Sequence, residues 1–208
     1  WYYPFLLPSL ALVVAVLVYF YLNNPEPEER PRLNNYLRNV AQSVFTRNTL
    51  TLFLLCFVSF ILLFGVLMTY MPVLLKGRFD FTSTEIGVVF FFIALSAGVV
   101  ASRLGFLMRV FSMKKLVLMG LGAFLAGMAL IPFADNLWVL IFFLLLTGMG
   151  QGINIPIVFN TLTSIAPIEH RGAFMSVNSM TIRAGQTIGP LIAGFLFGLG
   201  GLSWVFWA

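Results

Sequence analysis

Six apolar runs, each bounded by polar or charged punctuation, fall at about 1–22, 49–75, 85–102, 116–133, 137–166 and 172–199. A helix needs about 20 consecutive apolar residues to cross a hydrocarbon core of about 30 Å, so each run reads as one membrane span. No strand-like alternation competes with them. The pattern predicts an all-α membrane protein with six transmembrane helices. The third run is preceded by Thr82-Ser83-Thr84-Glu85, a spacing at which threonine hydroxyl and glutamate carboxylate satisfy each other's backbone amides, so a helix starts there. The longest polar stretch, Asn23 to Asn48, carries Pro25, Pro27 and Pro31 among Glu26, Glu28, Glu29, Arg30 and Arg32. It reads as a solvated linker followed by a short surface helix, and is the one domain boundary the sequence offers.

Composition agrees with the pattern. Of 208 residues 60% are apolar and 9% charged, whereas soluble domains carry about 25% charged residues. The net charge of +5 sits in short groups between spans and not on one polar face, so no nucleic-acid partner is expected. If alternate loops share a side, that side holds Arg30, Arg32, Arg38, Arg47, Arg103, Arg109, Lys114, Lys115 and Arg171, against Lys76 and Arg78 opposite. The excess marks the cytoplasm and puts Trp1 outside. The first run has no basic region ahead of it and no small-residue cleavage pattern, so it is a span and not a signal peptide. The chain opens without an initiator methionine and closes inside a renewed apolar run, Trp204-Val205-Phe206-Trp207, which echoes Trp1-Tyr2-Tyr3-Pro4-Phe5; the expectation is a fragment. The single cysteine, Cys56, forms no intrachain disulfide and reads as helix-interface filler.

Three stretches carry a family resemblance. Gly105-Phe106-Leu107-Met108-Arg109 through Ser112, Lys114 and Lys115 resembles the glycine-and-basic loop between the eighth and ninth helices of the major facilitator superfamily. It departs from that pattern in carrying Arg109 at the acidic position and Ser112 at the second glycine. Gly185-Gln186-Thr187-Ile188-Gly189-Pro190, with Gly194 and Gly198 following, resembles the glycine-proline motif of the family's antiporters, here on the eleventh helix and not the fifth. Pro167 to Gly172 is similar to the Pro-x-x-x-Arg-Gly loop entering that helix. The resemblance implies two six-helix bundles joined by a cytoplasmic loop. Residues 1–22 then form the last helix of the N-terminal bundle, 23–48 the central loop, and 49–208 the C-terminal bundle lacking its final helix.

The residues themselves suggest where a solute would pass. Lipid is as apolar as leucine, so spanning helices associate by close backbone approach through small residues. Gly185, Gly189, Gly194 and Gly198 recur at intervals of 4, 5 and 4, and Gly148 with Gly152 repeats the four-residue step. These faces form either a rocking seam or a static helix contact. Pro156 and Pro190 each remove an intrahelical hydrogen bond, giving either a gating bend or an idle kink. Thr147, Gln151, Asn154 and Thr161 share one face of the fifth span, as a cavity wall or as interhelical hydrogen-bonding groups. Ser176, Ser179, Arg183 and Gln186 share a face of the sixth. Arg183 lies 12 residues beyond Arg171, about 18 Å along the axis and near mid-membrane. An arginine there costs about 2.5–3.5 kcal/mol to insert and demands a partner: a carboxylate, carbonyls or an anionic solute. Thr69 and Tyr70 precede Pro72 near the outer end of the second span, as an external gate or an interfacial anchor.

Enzyme chemistry finds no support. The sole histidine, His170, is in a loop, Cys56 has no base nearby, and neither a metal-ligand cluster nor a glycine-rich phosphate loop is present in the sequence. No cofactor is expected. The leading function is a secondary active transporter that moves small molecules by alternating access, as proton-coupled multidrug or small-molecule efflux. Uptake of a metabolite or organic anion is the alternative, and a non-transporting receptor or structural protein the second. The expected partners are a small-molecule substrate, protons, the lipid bilayer and the missing N-terminal bundle, where the titrating carboxylate belongs. The location follows as an integral, multi-pass protein of the plasma membrane.

Overall fold

The computed structural model describes residues 3–21 and 33–207 and is helical through nearly all of them. It divides into two compact units, residues 1–38 and 39–208. The first contains α1, Tyr3–Tyr21, 19 residues of almost uninterrupted apolar sequence. The prolines of the expected linker lie outside the described residues, and the expected surface helix follows as α2, Leu33–Val44.

Five further helical runs are long and apolar enough to cross a membrane: Arg47–Phe79, Ser83–Val110, Met113–Phe133, Leu137–Ile165 and Ile168–Trp207. The first comprises α3 (Arg47–Ile61), a nine-residue π-helical stretch (Leu62–Tyr70) and α4 (Met71–Phe79). The others are α5 (Ser83–Val110), α6 (Met113–Leu130, with a short 3-10 turn to Phe133), α7 (Leu137–Ile165) and α8 (Arg171–Trp207). The pattern predicts six spans; the described residues show these five, with α1 as a further apolar helix.

Local chemistry sets the helix starts. At α5 the capping box forms: the Thr82 amide donates to Glu85 Oε2 at 2.7 Å, and the Glu85 amide donates to Thr82 Oγ1 at 3.4 Å. At α7 the Asn136 side-chain oxygen accepts the Val139 amide at 3.0 Å, and Thr46 caps α3 through the Thr49 amide at 3.4 Å. Each satisfies a donor that a helix start leaves without an intrahelical partner. The chain turns out of α8 at Gly200 and Gly201, the latter at φ 70°, where a side chain would be strained. Its last turn folds back so that Val205 and Phe206 are buried and Trp207 packs edge-on to Phe133.

Helix ends differ most from the sequence reading. Helix α5 continues to Val110 instead of ending near 102, so Gly105 and Arg109 are helical, and Lys114 and Lys115 begin α6 after a two-residue turn. The 28 residues of α5 measure about 42 Å. Hydropathy reports where lipid ends; backbone hydrogen bonding carries the helix further.

Within the larger unit, α6 and α7 pack as antiparallel neighbours, while α5 with α7 and α3 with α8 run parallel. The larger apolar cluster, including Leu67, Met71, Leu75, Ile131, Leu140 and Leu144, lies toward the end that carries Arg78 and Asp135. A smaller cluster of Leu104, Leu116, Ile153 and Ile157 lies toward the basic end marked by Arg109, Lys114 and Arg171.

Candidate functional site

The α3–α8 contact is made by main-chain atoms. A methyl group at Gly189 would stand 2.7 Å from the Ile61 carbonyl oxygen and 3.0 Å from the Gly65 amide nitrogen; one at Gly65 would stand 2.6 Å from the Gly189 carbonyl oxygen. At Gly185 it would approach the Phe57 carbonyl oxygen to 2.9 Å. Gly65 lies inside the π-helical stretch, a geometry that is rare and frequent at functional sites. Farther along α8, Gly194 has the Tyr70 hydroxyl 3.5 Å from where its Cβ would be, and Gly198, which is exposed, has nothing within 4 Å. The Tyr70 ring rests on Phe197 with centroids 5.2 Å apart, and Thr69 donates to the Phe64 carbonyl at 2.7 Å. Gly148 and Gly152 make the equivalent contact on α7, facing the carbonyls of Ile93 and Ala97 on α5. Pro156 and Pro190 lie inside their helices without ending them.

The two polar faces look in different directions. On α7, Thr147 is completely buried against Gly127 of α6 and donates to the Phe143 carbonyl at 2.8 Å. Asn154 is buried against Gly120, so a Cβ on that glycine would sit 2.7 Å from Asn154 Oδ1. Gln151 and Asn154 also border a crevice of about 10 Å³ with Ser59 and Phe60 of α3. That space admits about one water molecule. Gln151 Nε2 and Asn154 Oδ1 are buried with no hydrogen-bond partner among the described residues. Thr161, one turn from the basic end, donates to the Ile157 carbonyl at 2.7 Å and lines a larger, open cleft. This cleft, about 560 Å³, lies between α3, α6 and α7 and has Asn48, Thr51 and Lys114 at its rim.

On α8 the polar face is open. Ser176, Ser179 and Arg183 are exposed and Gln186 is half-buried. Arg183 Nη1 donates to Gln186 Oε1 at 3.1 Å. The hydroxyls of Ser176, Ser179 and Thr187 donate back to carbonyls of their own helix at 3.0, 2.9 and 3.0 Å. At 100° per residue α8 carries three strips: Phe174, Asn178, Gly185 and Gly189 buried in the bundle, the open polar strip, and an open apolar strip of Met180, Ile188 and Leu191. Asn178, which the sequence reading passes over, is fully buried, and neither amide atom has a partner among the described residues. Its seven-residue offset from Gly185 was the available signal.

Among the described residues, no aspartate or glutamate lies between the first and last turns of a spanning helix. Glu85 is held in its capping box, and Asp135, just before α7, accepts at 2.9 Å from Arg78 at the end of α4, which also donates to the Pro132 carbonyl. Asp80 caps the end of α4 and Glu169 sits in the turn before α8.

Comparison with known proteins agrees with this architecture. The Bacillus subtilis MFS-type transporter YceJ is 26% identical over 204 residues, 95% of this chain and 50% of the relative. The Multidrug resistance protein B homolog of Mycobacterium tuberculosis is 31% identical over 96 residues, covering 46% of this chain and 18% of the relative. Lincomycin resistance protein LmrB of B. subtilis is 30% identical over 87 residues, 42% of this chain and 17% of the relative. The chain spans half the length or less of these curated relatives. The sequence model of the Major Facilitator Superfamily matches residues 79–208, more than half of the chain and the whole of α5 to α8. This integral, multi-pass membrane protein belongs to the Major Facilitator Superfamily.

Proposed function

We propose that this chain forms part of a secondary active transporter that exports small molecules from the cell by alternating access, driven by protons. In this reading α1 closes a first bundle, residues 23–48 join it to a second, and α3 to α8 belong to that second bundle. The carrying observation is the open polar strip of α8, with a mid-span arginine, beside an apolar strip on the same helix. Lipid suits Met180, Ile188 and Leu191; a charged guanidinium there suits a wet vestibule. The main-chain contacts at Gly65, Gly185 and Gly189 and at Gly148 and Gly152 serve as the fixed seams of a rocking body, and Pro156 and Pro190 as its bends. Gln151 and Asn154 are the α7 groups nearest a water-accessible crevice; Gly105 and Arg109 at the end of α5, with Lys114 and Lys115 at the start of α6, flank a basic cytoplasmic turn. Efflux is supported by relatives named for multidrug and lincomycin resistance.

Inside-out vesicles containing the full-length protein test this. Under an imposed proton gradient they should accumulate a fluorescent drug-like probe, and a protonophore should abolish the accumulation. Uptake equal to that of protein-free vesicles overturns the carrier, and uptake indifferent to the protonophore overturns proton coupling. Arg183 favours a second reading, uptake of a metabolite or organic anion, which predicts accumulation in right-side-out vesicles instead.

A further inference from the structure

Resting on the carrier reading, we propose that Arg183 and Gln186 together anchor an oxyanion of the cargo, a carboxylate or sulfonate, near the middle of the membrane. Arg183 stands 12 residues from the start of α8, about 18 Å along its axis and too deep to snorkel readily to either interface. A guanidinium at that depth requires compensation. The described residues offer no carboxylate for it: Glu85 and Asp135 are engaged elsewhere, Asp80 caps the far end of α4, and Glu169, 14 residues before Arg183, lies about 21 Å back along the helix.

The hydrogen bonding around the guanidinium selects the sign of the ligand. Arginine donates and never accepts, so Gln186 must turn its Oε1 toward Arg183 and hold its NH2 end away. The pair therefore presents donors to the open face: the remaining guanidinium N–H groups and Gln186 Nε2. Two donors side by side fit the two oxygens of a carboxylate or sulfonate, the bidentate geometry for which arginine is suited. The hydroxyl hydrogens of Ser176, Ser179 and Thr187 are committed to backbone carbonyls, so they compete little for such a ligand. A cationic cargo meets like charge at the same place.

The test uses the full-length protein in proteoliposomes and two permanently charged probes on one ring system, 2-naphthalenesulfonate and 2-naphthyltrimethylammonium. Exchange of preloaded probe against external label is measured for each. The wild type should exchange the sulfonate well above protein-free liposomes and above the ammonium probe. Arg183→Gln should lower sulfonate exchange about tenfold or more, as expected for a lost charge-assisted hydrogen bond. Arg183→Lys should retain part of it with a raised KM, because the charge stays while the fork is lost. Gln186→Leu should raise KM for the sulfonate with little change in maximal rate. Thermal unfolding of each variant shows whether it is folded. If the ammonium probe is exchanged and well-folded Arg183→Gln matches the wild type, the anion site is refuted while the carrier stands. If neither probe exchanges faster than through protein-free liposomes, both fall.

Discussion

Adding a single methyl group at Gly189 tests the close α3–α8 contact directly. In Gly189→Ala the new Cβ lies 2.7 Å from the Ile61 carbonyl oxygen, about 0.6 Å inside the ~3.3 Å at which carbon and a carbonyl oxygen normally rest. The obstacle is main chain on both sides, so no rotamer change relieves it and the helices must separate or shift. Overpacking of this kind costs about 1–3 kcal/mol, a fall in melting temperature of roughly 2–12 °C for a domain of this size. Gly198→Ala is the control: it has the same chemistry on the same helix but nothing within 4 Å, so it should leave stability within about 0.5 kcal/mol. Gly65→Ala should cost about as much as Gly189→Ala, while the double variant should cost less than the sum, because one separation accommodates both methyls. The assay is thermal unfolding of the purified protein in one detergent, followed by tryptophan fluorescence. Equal melting temperatures for Gly189→Ala and Gly198→Ala would refute the close crossing.

Thr82→Ala removes one half of the capping box and should cost about 1 kcal/mol, seen as faster amide exchange confined to the first turn of α5. Asn154→Leu replaces an amide whose oxygen has no partner with an apolar group of similar size, so stability should change by less than about 1 kcal/mol. If that variant unfolds several degrees lower, Asn154 makes a structural hydrogen bond in solution. If it stays folded and loses transport, its amide serves the solute path or the water beside it.

The spans were legible because a bilayer imposes a length and polarity that few other environments demand. Their ends were less so: Arg103 and Arg109 mark the polar boundary of α5, yet its backbone bonds continue to Val110. Periodicity showed that Thr147 and Asn154 share a face; it did not show that α6, through Gly127 and Gly120, closes over them. Which way a face looks depends on neighbours distant in sequence. Gly189 was visible through its spacing with Gly185, but its counterpart Gly65 has no other glycine within two turns of it. The π-helical stretch around Gly65 likewise left no mark in the apolar pattern. Arg183 was legible on charge and depth alone, because a guanidinium in a span is conspicuous whatever surrounds it.

Main-chain contact between α3 and α8 bears on how the protein meets membranes of different thickness. Helices joined by long side chains can slide by exchanging rotamers, whereas the Gly65–Gly189 crossing leaves nothing to exchange. A thinner or thicker bilayer is therefore met by tilting α3 and α8 as a unit instead of by sliding one along the other.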